Sequence, residues 1–496
     1  MSATSSAASP IPNRAEKGFF GHPRGLATLF FTEMWERFSY YGMRAILAFF
    51  LADTVVNGGL GLDKGTASSL VSVYGASVYM SALAGGWIAD RLLGAQRSVF
   101  YGGVLIMFGH ISMALPLGAA TIYLGLLLIV LGTSLLKPNI STVVGGLYQD
   151  HDTRRDAGFS IFYMGINIGS FAGQLVSGYL GEKVNWHLGF GAAAVGMALG
   201  LIVYRRGARN LGTAGAAPTN PLTPDERGKA IARIGLTAGA LVLIGLAMHL
   251  TGNLTVDSVI NAISLLAIVV PIVYFVVMMR SPRTTEVERS RLVAYVPLFV
   301  AAVLFWMIFE QAANVLNFYA ADRVDTTLFG WEFPASWFQS ANPFFIFLLA
   351  PLMAALWVRL GERQPSTPRK FAVALVIIGS SFGLIALASV LDPDGKVSPL
   401  WLLAVYAVQT VAELMLSPVG LSVTTKLAPA AFVSQMMGMW FLASAAGQGI
   451  AAQVVPLYET LPEKVYFGVI GLSAVVLGLL LWLGANRIRT LMRGVD

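Results

Sequence analysis

Residues Thr32–Leu47 read TEMWERFSYYGMRAIL, a run of charged and aromatic residues inside an apolar segment that extends from about Leu26 to Leu51. A segment of this length can cross a bilayer as a helix. Each ionised side chain at mid-bilayer depth costs roughly 2.5–3.5 kcal/mol, so ionisable residues in such a helix usually mark a functional site. The stretch therefore predicts a membrane protein with a polar site in its first helix.

The polar side chains of this stretch follow helical spacing. They lie three or four residues apart, so at about 100° per residue they share one face, and Glu33 can reach Arg37 one turn on. The opposite face is apolar, so we expect the polar face to line a protein interior or a wet cavity. A purely structural ladder of buried ion pairs is the alternative. The polar face consists of Glu33, Glu36, Arg37, Tyr40, Tyr41 and Arg44.

The composition is that of a polytopic membrane protein. Apolar residues make up 56% of the chain and charged residues 12%, with a mean hydropathy of +0.69, whereas soluble domains carry about 25% charge. The net charge of +7 does not indicate nucleic-acid binding, because the basic residues lie between apolar segments. The chain has no cysteine, and its five histidines lack metal-ligand spacing. We expect no metal, no cofactor and no nucleic-acid partner.

Fourteen apolar segments predict an all-α integral membrane protein with fourteen transmembrane helices in a 6 + 2 + 6 arrangement. A polar stretch from Arg205 to Lys229 follows the first six segments. The next two segments carry almost no polar residues at mid-depth, and we interpret them as an inserted hairpin, peripheral to the site. The segments are 26–51, 67–90, 97–117, 119–146, 157–181, 186–204, 231–250, 256–279, 292–320, 334–359, 370–391, 399–425, 433–456 and 464–486.

The loops predict the orientation of the chain. If the N-terminus is inside, the outer loops contain only five basic residues, and most Arg and Lys residues lie on the cytoplasmic side, as the positive-inside rule requires. We expect a monomer in the inner (plasma) membrane with both termini cytoplasmic. The predicted domains are a tail 1–24, an N-terminal six-helix bundle 25–205, a linker with two inserted helices 206–285, a C-terminal six-helix bundle 286–490 and a tail 491–496.

Three further charged residues, Lys137, Glu310 and Glu413, lie deep within apolar segments. Together with the first helix they give four acids against three bases. A low-dielectric cavity does not tolerate a surplus anion, which takes up a proton instead. If all seven groups share one cavity, the count predicts a proton-coupled carrier for a ligand that is neutral overall, such as a zwitterion.

Five motifs in the same order resemble those of the proton-dependent oligopeptide transporters, a family of the major facilitator superfamily. They are the ExxERFxYYG pattern from Glu33 to Gly42, FSIFYMGINIGS at Phe159–Ser170, SWFQSANPFFIFLLAP at Ser336–Pro351, AELMLSPVGLSVTTKLAP at Ala412–Pro429 and MMGMWFL at Met436–Leu442. The loop GGWIADRLLGAQR at Gly85–Arg97 more loosely resembles the loop between helices two and three of that superfamily.

The resemblance implies a major facilitator fold and proton-driven uptake of di- and tripeptides by alternating access. It implies that Glu413 takes the peptide amino terminus, and that Arg37, Arg44 and Lys137 form the positive side for the carboxylate. Glu310, with Glu33, Glu36, Arg37 and Lys137, would carry the coupling. Lining residues would be Tyr40, Tyr41, Tyr79, Asn167, Trp306, Asn342, Trp440 and Ser444.

The coupling hypothesis pairs ionised Glu310 with Arg44 while the site is empty. Protonation of Glu310 would free Arg44 for the substrate carboxylate. Animal members of the family place a histidine in the second span, but residues 67–90 contain none. Proton handling is therefore expected to rest on carboxylates.

The alternatives are another solute on the same scaffold, a membrane enzyme or a channel. Nitrate needs no acidic anchor, and a nucleoside has no carboxylate for Lys137 and Arg44 to hold; a peptide-like drug remains possible. A transferase would need a metal cluster or a Ser/His pair, and neither pattern is present. Taken singly, each aromatic or amide residue at mid-depth is better explained by helix packing. The charged residues carry the functional argument.

Overall fold

The computed structural model describes residues 18–149, 151–393 and 395–495. Within these ranges the chain is almost entirely helical, and its one sheet is a two-stranded hairpin of β1 Thr327–Leu328 and β2 Trp331–Glu332. The expected all-α fold is confirmed. Of the predicted tails, residues 1–17 and 496 lie outside the described ranges.

Six long helices form what we call the first bundle. They are α1 Arg24–Ala52, α2 Lys64–Ile88, α3 Ala95–Ala114, α4 Ala119–Gly145, α5 Arg155–Lys183 and α6 Trp186–Gly207. Helix α1 packs against α5 and α6, and α4 packs against α2 and α3. A π-helical turn at Ala89–Leu93 extends α2 towards α3.

Small residues allow α1 and α5 to approach closely. Helix α5 has glycine at every fourth position of one face, at Gly165, Gly169 and Gly173. A Cβ atom on Gly169 would lie 2.0 Å from the carbonyl oxygen of Met34, and one on Gly173 would lie 2.2 Å from that of Phe38. Such glycine spacing is typical of tightly packed membrane helices. These glycines allow the apolar face of α1 to pack directly against α5.

Two helices follow the first bundle, α7 Pro224–Leu250 and α8 Val256–Arg280. Each begins with a capping box, formed by Thr223 with Glu226 and by Thr255 with Ser258. None of the described side chains of α7 is buried. Helix α7 is therefore an outer helix of the molecule.

The remaining helices form the second bundle. They are α9 Glu286–Phe309, α10 Val315–Arg323, α11 Ala341–Leu360, α12 Thr367–Leu391, α13 Pro399–Lys426, α14 Val433–Val454, α15 Leu457–Thr460 and α16 Glu463–Leu491. Helix α12 packs against α9, α13 and α16, and α14 packs against α9. Across the molecule, α14 also packs against α2 of the first bundle.

Helix α8 lies over the junction of the two bundles, in contact with both α2 and α14. Gln453 of α14 donates hydrogen bonds to Asn261 Oδ1 and Ser264 Oγ, both at 3.1 Å. In the described part of the chain, α7 and α8 make no hydrogen bond or ion pair with the central charged residues. The peripheral role of the two helices stays a prediction.

The predicted ninth segment, 292–320, is not one continuous helix. Helix α9 ends at Phe309, and a 3₁₀ turn follows at Glu310–Ala313. Asn314 leaves the helical region with φ −134° and ψ −86°, and its side chain caps α10 by accepting from Val315 N at 2.6 Å. Asn314 Nδ2 also donates to Ser72 Oγ of α2 at 2.9 Å. The break therefore depends on a contact between the bundles, and it places Glu310 at the end of α9.

Eleven helices of the described chain are long and apolar enough to cross a membrane. Helices α1, α3 and α14 fall outside that set, although they have 29, 20 and 22 residues. Four charged residues interrupt the apolar sequence of α1, at positions 33, 36, 37 and 44. The protein is thus a multi-pass membrane protein, and the count of fourteen spans stays a prediction.

Candidate functional site

The charged stripe of α1 forms a compact buried cluster. Arg37 Nε lies 2.7 Å from Glu33 Oε1 and 3.0 Å from Glu36 Oε2, and the three residues are between 0% and 5% exposed. The predicted contact between Glu33 and Arg37 is present. Buried charges persist only when they are paired and hydrogen-bonded. One guanidinium thus serves two carboxylates, and Glu33 Oε2 and Glu36 Oε1 have no hydrogen-bond partner among the described residues.

Two tyrosines separate this cluster from Arg44. Tyr40 and Tyr41 meet edge to face with ring centroids 5.2 Å apart, and Tyr40 also stacks with Tyr74 of α2 at 6.3 Å. Tyr74 was not among the predicted lining residues. Its hydroxyl is buried without a hydrogen-bond partner in the described chain.

The predicted contact between Arg44 and Glu310 is also present. Arg44 Nη2 donates to Glu310 Oε2, and both side chains are nearly buried. Arg44 belongs to the first bundle and Glu310 to the second. Because Glu310 lies where α9 ends, the pair links the bundles at the helix break.

Lys137 of α4 has no carboxylate within ion-pairing distance in the described ranges. Its ammonium instead lies 4.0 Å from the centroid of the Tyr79 ring, an arrangement worth about 2 kcal/mol when desolvated. Tyr79 stacks in turn on Phe441 of α14, with centroids 6.5 Å apart. The first bundle thus presents one partly buried cation without an ion-pair partner.

Glu413 of α13 is the corresponding unpaired anion of the second bundle. Its Oε2 accepts a hydrogen bond from Asn342 Nδ2 at 3.0 Å, and the same amide donates to Thr410 Oγ1 at 3.1 Å. Among the described residues Glu413 has no basic partner. The structure thus brings together the predicted residues Asn342 and Glu413, and it adds Thr410, which looked like an ordinary helix-interior residue in the sequence.

Two tryptophans of the second bundle pack against each other. Trp306 and Trp440 meet edge to face with centroids 6.5 Å apart. A Cβ atom on Gly420 would lie 2.0 Å from the Trp440 ring, so only glycine leaves room for the indole there. Trp306 Nε1 and Ser444 Oγ are buried without hydrogen-bond partners in the described part of the chain. Both are donors that a ligand can use.

Asn167, a predicted lining residue, makes a hydrogen bond within its own helix. Its Nδ2 donates to the carbonyl of Tyr163 one turn earlier at 3.0 Å. Both residues line a cleft of about 720 Å³ between α4, α5 and α11. Tyr163 was missed in the sequence because nothing distinguishes it there from a packing aromatic.

The two bundles are bound together at one end of the molecule, which we call the sealed end. Lys64 pairs with Asp322 at 2.5 Å, and Lys183 pairs with Glu332 at 3.2 Å. Glu182 of α5 accepts from the backbone N–H groups of Ala335 and Ser336, at 2.8 and 3.0 Å. These contacts depend on the docking of the bundles, so the sequence did not reveal them.

The opposite end, which we call the open end, contains the larger clefts. The cleft with Tyr163 and Asn167 opens there, and a second cleft of about 690 Å³ between α11 and α13 reaches from Leu414 and Pro418 to Lys426. Leu414 directly follows Glu413. Of the predicted site residues, Asn167 lines a cleft at this end.

The described residues contain no group of three or more His, Cys, Asp or Glu side chains that could hold a metal ion. Within the described ranges the predicted site offers a cation at Lys137 and a carboxylate at Glu413, each without an ion-pair partner, and unpartnered donors at Trp306 Nε1 and Ser444 Oγ.

The chain is similar to known transporters in both sequence and structure. A model of the POT family matches residues 96–472. The chain is 52% identical over 489 residues to an uncharacterized transporter, YclF, of Bacillus subtilis, covering 98% of each chain. It is 46% identical to a di-/tripeptide transporter of Lactococcus lactis subsp. cremoris, covering 97% of this chain and 99% of that one. A crystal structure of peptide transporter POT in complex with sulfate superposes with a TM-score of 0.94 at 53% identity, covering 97% and 98% of the two chains.

Proposed function

The chain belongs to the POT family, and from this premise we propose that it is a proton-coupled symporter that imports di- and tripeptides. Its relatives include a di-/tripeptide transporter and a peptide transporter that align over most of the chain. The fold is of the major facilitator type, in which two bundles rock around a midplane site. No enzymatic step is part of the proposal.

The observation that carries the proposal is the placement of the two unpaired charges. Lys137 of the first bundle and Glu413 of the second have no ion-pair partner in the described chain, whereas Arg37 and Arg44 are both occupied by carboxylates. A peptide zwitterion has one charge of each sign. It can give Glu413 an ammonium group and Lys137 a carboxylate, so that no buried charge remains without a partner.

The remaining predicted residues have complementary roles. Arg37 and Arg44 extend the positive side around Lys137, and Asn342 orients Glu413 through its hydrogen bond of 3.0 Å. Tyr40, Tyr41, Tyr79, Asn167, Trp306, Trp440 and Ser444 line the pocket. Aromatic walls accept different apolar side chains with little hydrogen-bond discrimination, which suits a carrier of many peptides.

Coupling is assigned to the pair between Arg44 and Glu310, supported by Glu33, Glu36, Arg37 and Lys137. Ionised Glu310 holds Arg44 and keeps the bundles together when the site is empty. Protonation of Glu310 removes its charge and frees Arg44 for the substrate carboxylate. Proton and peptide then favour the same state, as reciprocal coupling requires.

The topology completes the proposal. Fourteen spans in a 6 + 2 + 6 arrangement divide the chain at 25–205, 206–285 and 286–490. The positive-inside rule supports an inner-membrane protein with cytoplasmic termini, and the open end would then face the cytoplasm. The carrier acts as a monomer, because the polar site is built from the two bundles of one chain.

Uptake in reconstituted vesicles tests the proposal. An inward proton gradient should drive accumulation of a labelled dipeptide, and unlabelled di- and tripeptides should compete, whereas nitrate and nucleosides should not. Accumulation that nitrate or a nucleoside abolishes, but peptides do not, would assign the same fold to a different solute.

A further inference from the structure

A cleft of about 390 Å³ lies outside the central site, between the start of α3 and the end of α6 at the open end. Tyr204 near the end of α6 joins the two helices by donating to the carbonyl of Gln96 at 2.8 Å. Gln96 Nε2 also donates to the carbonyl of Ala214 at 2.8 Å in the segment that follows α6. The cleft is therefore a fixed feature of this corner of the first bundle.

Two arginines line the cleft and have no recorded ion-pair partner among the described residues. Arg97 lies in the first turn of α3 and Arg205 in the last turn of α6, and both are exposed. The first turn of α3 contains no acidic residue, so nothing there offsets the positive end of the helix dipole. Asp152, an acid elsewhere on the open end, is engaged by Arg154 at 2.7 Å. The cleft thus concentrates positive charge without a counter-charge.

The other wall of the cleft is aromatic and partly exposed. Phe100 stacks on Tyr204 with ring centroids 6.4 Å apart, and Phe100 meets Tyr101 edge to face at 5.8 Å. Tyr101 is 50% exposed, and the neighbouring Ile202 is 45% exposed. Aromatic rings beside arginines at helix ends are typical of the membrane–water interface.

We propose that this cleft, formed by Arg97, Phe100, Tyr101, Tyr204 and Arg205, binds one anionic phospholipid. The phosphodiester accepts hydrogen bonds from the two guanidiniums, whose planar forks suit phosphate oxygens. The start of the acyl chains lies along Phe100 and Tyr101. Basic clefts between membrane helices recognise lipid headgroups in this way. A free phosphate has the same anionic chemistry but makes no use of the aromatic wall.

The test compares two variants with equal loss of charge at the same end. Arg97→Gln/Arg205→Gln removes both cleft arginines, and Arg206→Gln/Arg209→Gln removes two exposed arginines that do not line the cleft. Each full-length protein is purified and titrated with phosphatidylglycerol in phosphatidylcholine nanodiscs, and bound lipid is counted by native mass spectrometry. The wild type and the second variant should retain one phosphatidylglycerol, and the first should bind it about tenfold to a hundredfold more weakly.

Three outcomes would overturn the proposal. The first is equally weakened binding of phosphatidylglycerol in both variants, which would mean diffuse attraction. The second is a wild type with no preference for phosphatidylglycerol over phosphatidylcholine. The third is displacement of the lipid by excess inorganic phosphate, which would assign the cleft to free phosphate. If the double variant does not fold, Arg97→Gln and Arg205→Gln are titrated singly, and each should weaken binding while phosphatidylcholine retention stays unchanged. The readout does not depend on transport.

Discussion

The two walls of the central site handle buried charge in opposite ways. On α1, Glu33 and Glu36 share the guanidinium of Arg37 within about one helical turn, so each carboxylate has a cation beside it. On α13, Glu413 has only the amide of Asn342. A carboxylate that already has a counter-charge gains little binding free energy from a ligand, whereas a partly buried carboxylate with only a neutral partner gains a great deal from a cation. The difference assigns structure and coupling to the α1 wall and substrate capture to the α13 wall.

The largest effect is expected from breaking the α1 cluster. Arg37→Gln leaves Glu33 and Glu36 buried next to each other without a cation, which should lower the free energy of unfolding by about 3–5 kcal/mol. Chemical unfolding in detergent measures this. Glu33→Gln/Arg37→Gln is the matched control, because it removes one charge of each sign, and it should recover part of the loss. An Arg37→Gln protein as stable as the wild type would mean that the cluster is not the structural side of the site.

The next effect concerns coupling across the bundles. Glu310→Gln mimics the protonated residue and removes the charge that holds Arg44. It should bind peptide and exchange labelled for unlabelled peptide across vesicles, but it should not accumulate peptide against a gradient. Counterflow and pH-driven uptake are measured in the same vesicles. Retained accumulation would move the coupling proton to Glu33 or Glu36.

A smaller effect is expected on the α13 wall. Glu413→Gln keeps the shape of the side chain and its contact with Asn342 but loses the charge. A charge-assisted hydrogen bond of this kind is worth about 1.5–3 kcal/mol, or roughly tenfold to a hundredfold in dipeptide affinity. Calorimetric titration measures the loss, and Asp152→Asn, which removes a partly buried acid of the open end, should leave the affinity unchanged. Equal dipeptide affinity of Glu413→Gln and the wild type would show that Glu413 does not bind the peptide amino terminus.

The smallest effect should come from the helices outside both walls. Deletion of 224–280, with the chain rejoined, removes α7 and α8 and leaves both walls of the site intact. Dipeptide affinity should change by no more than about twofold, which is within 0.5 kcal/mol. A much larger loss would show that α8, which lies over α2 and α14, holds the walls at their working separation.

Much of the fold was predictable because it is local. The apolar segments predicted most helix bounds within about five residues, and helical spacing predicted the contact of Glu33 with Arg37. The segments were wrong by more at the start of α7 and of α11 and over the whole of the ninth segment. The contact of Arg44 with Glu310 joins residues 266 positions apart, and only the family resemblance indicated it. The break at Asn314 and the seal at Glu182 escaped prediction, because each depends on hydrogen bonds that form only when the bundles dock. Thr410 resembles a packing residue in the sequence, and only the fold shows that it shares the Asn342 amide with Glu413.

The central prediction is that Glu413 binds the amino terminus of the peptide and Lys137 binds its carboxylate. The direct test titrates the wild type, Glu413→Gln and Lys137→Gln with a dipeptide, its N-acetylated form and its C-terminal amide. Glu413→Gln should weaken binding of the dipeptide and of the amide, but it should hardly change binding of the N-acetylated form. Lys137→Gln should weaken binding of the dipeptide and of the N-acetylated form, but it should hardly change binding of the amide. If either variant lowers the affinity for all three ligands equally, the substituted residue does not bind a peptide terminus, and the prediction is wrong.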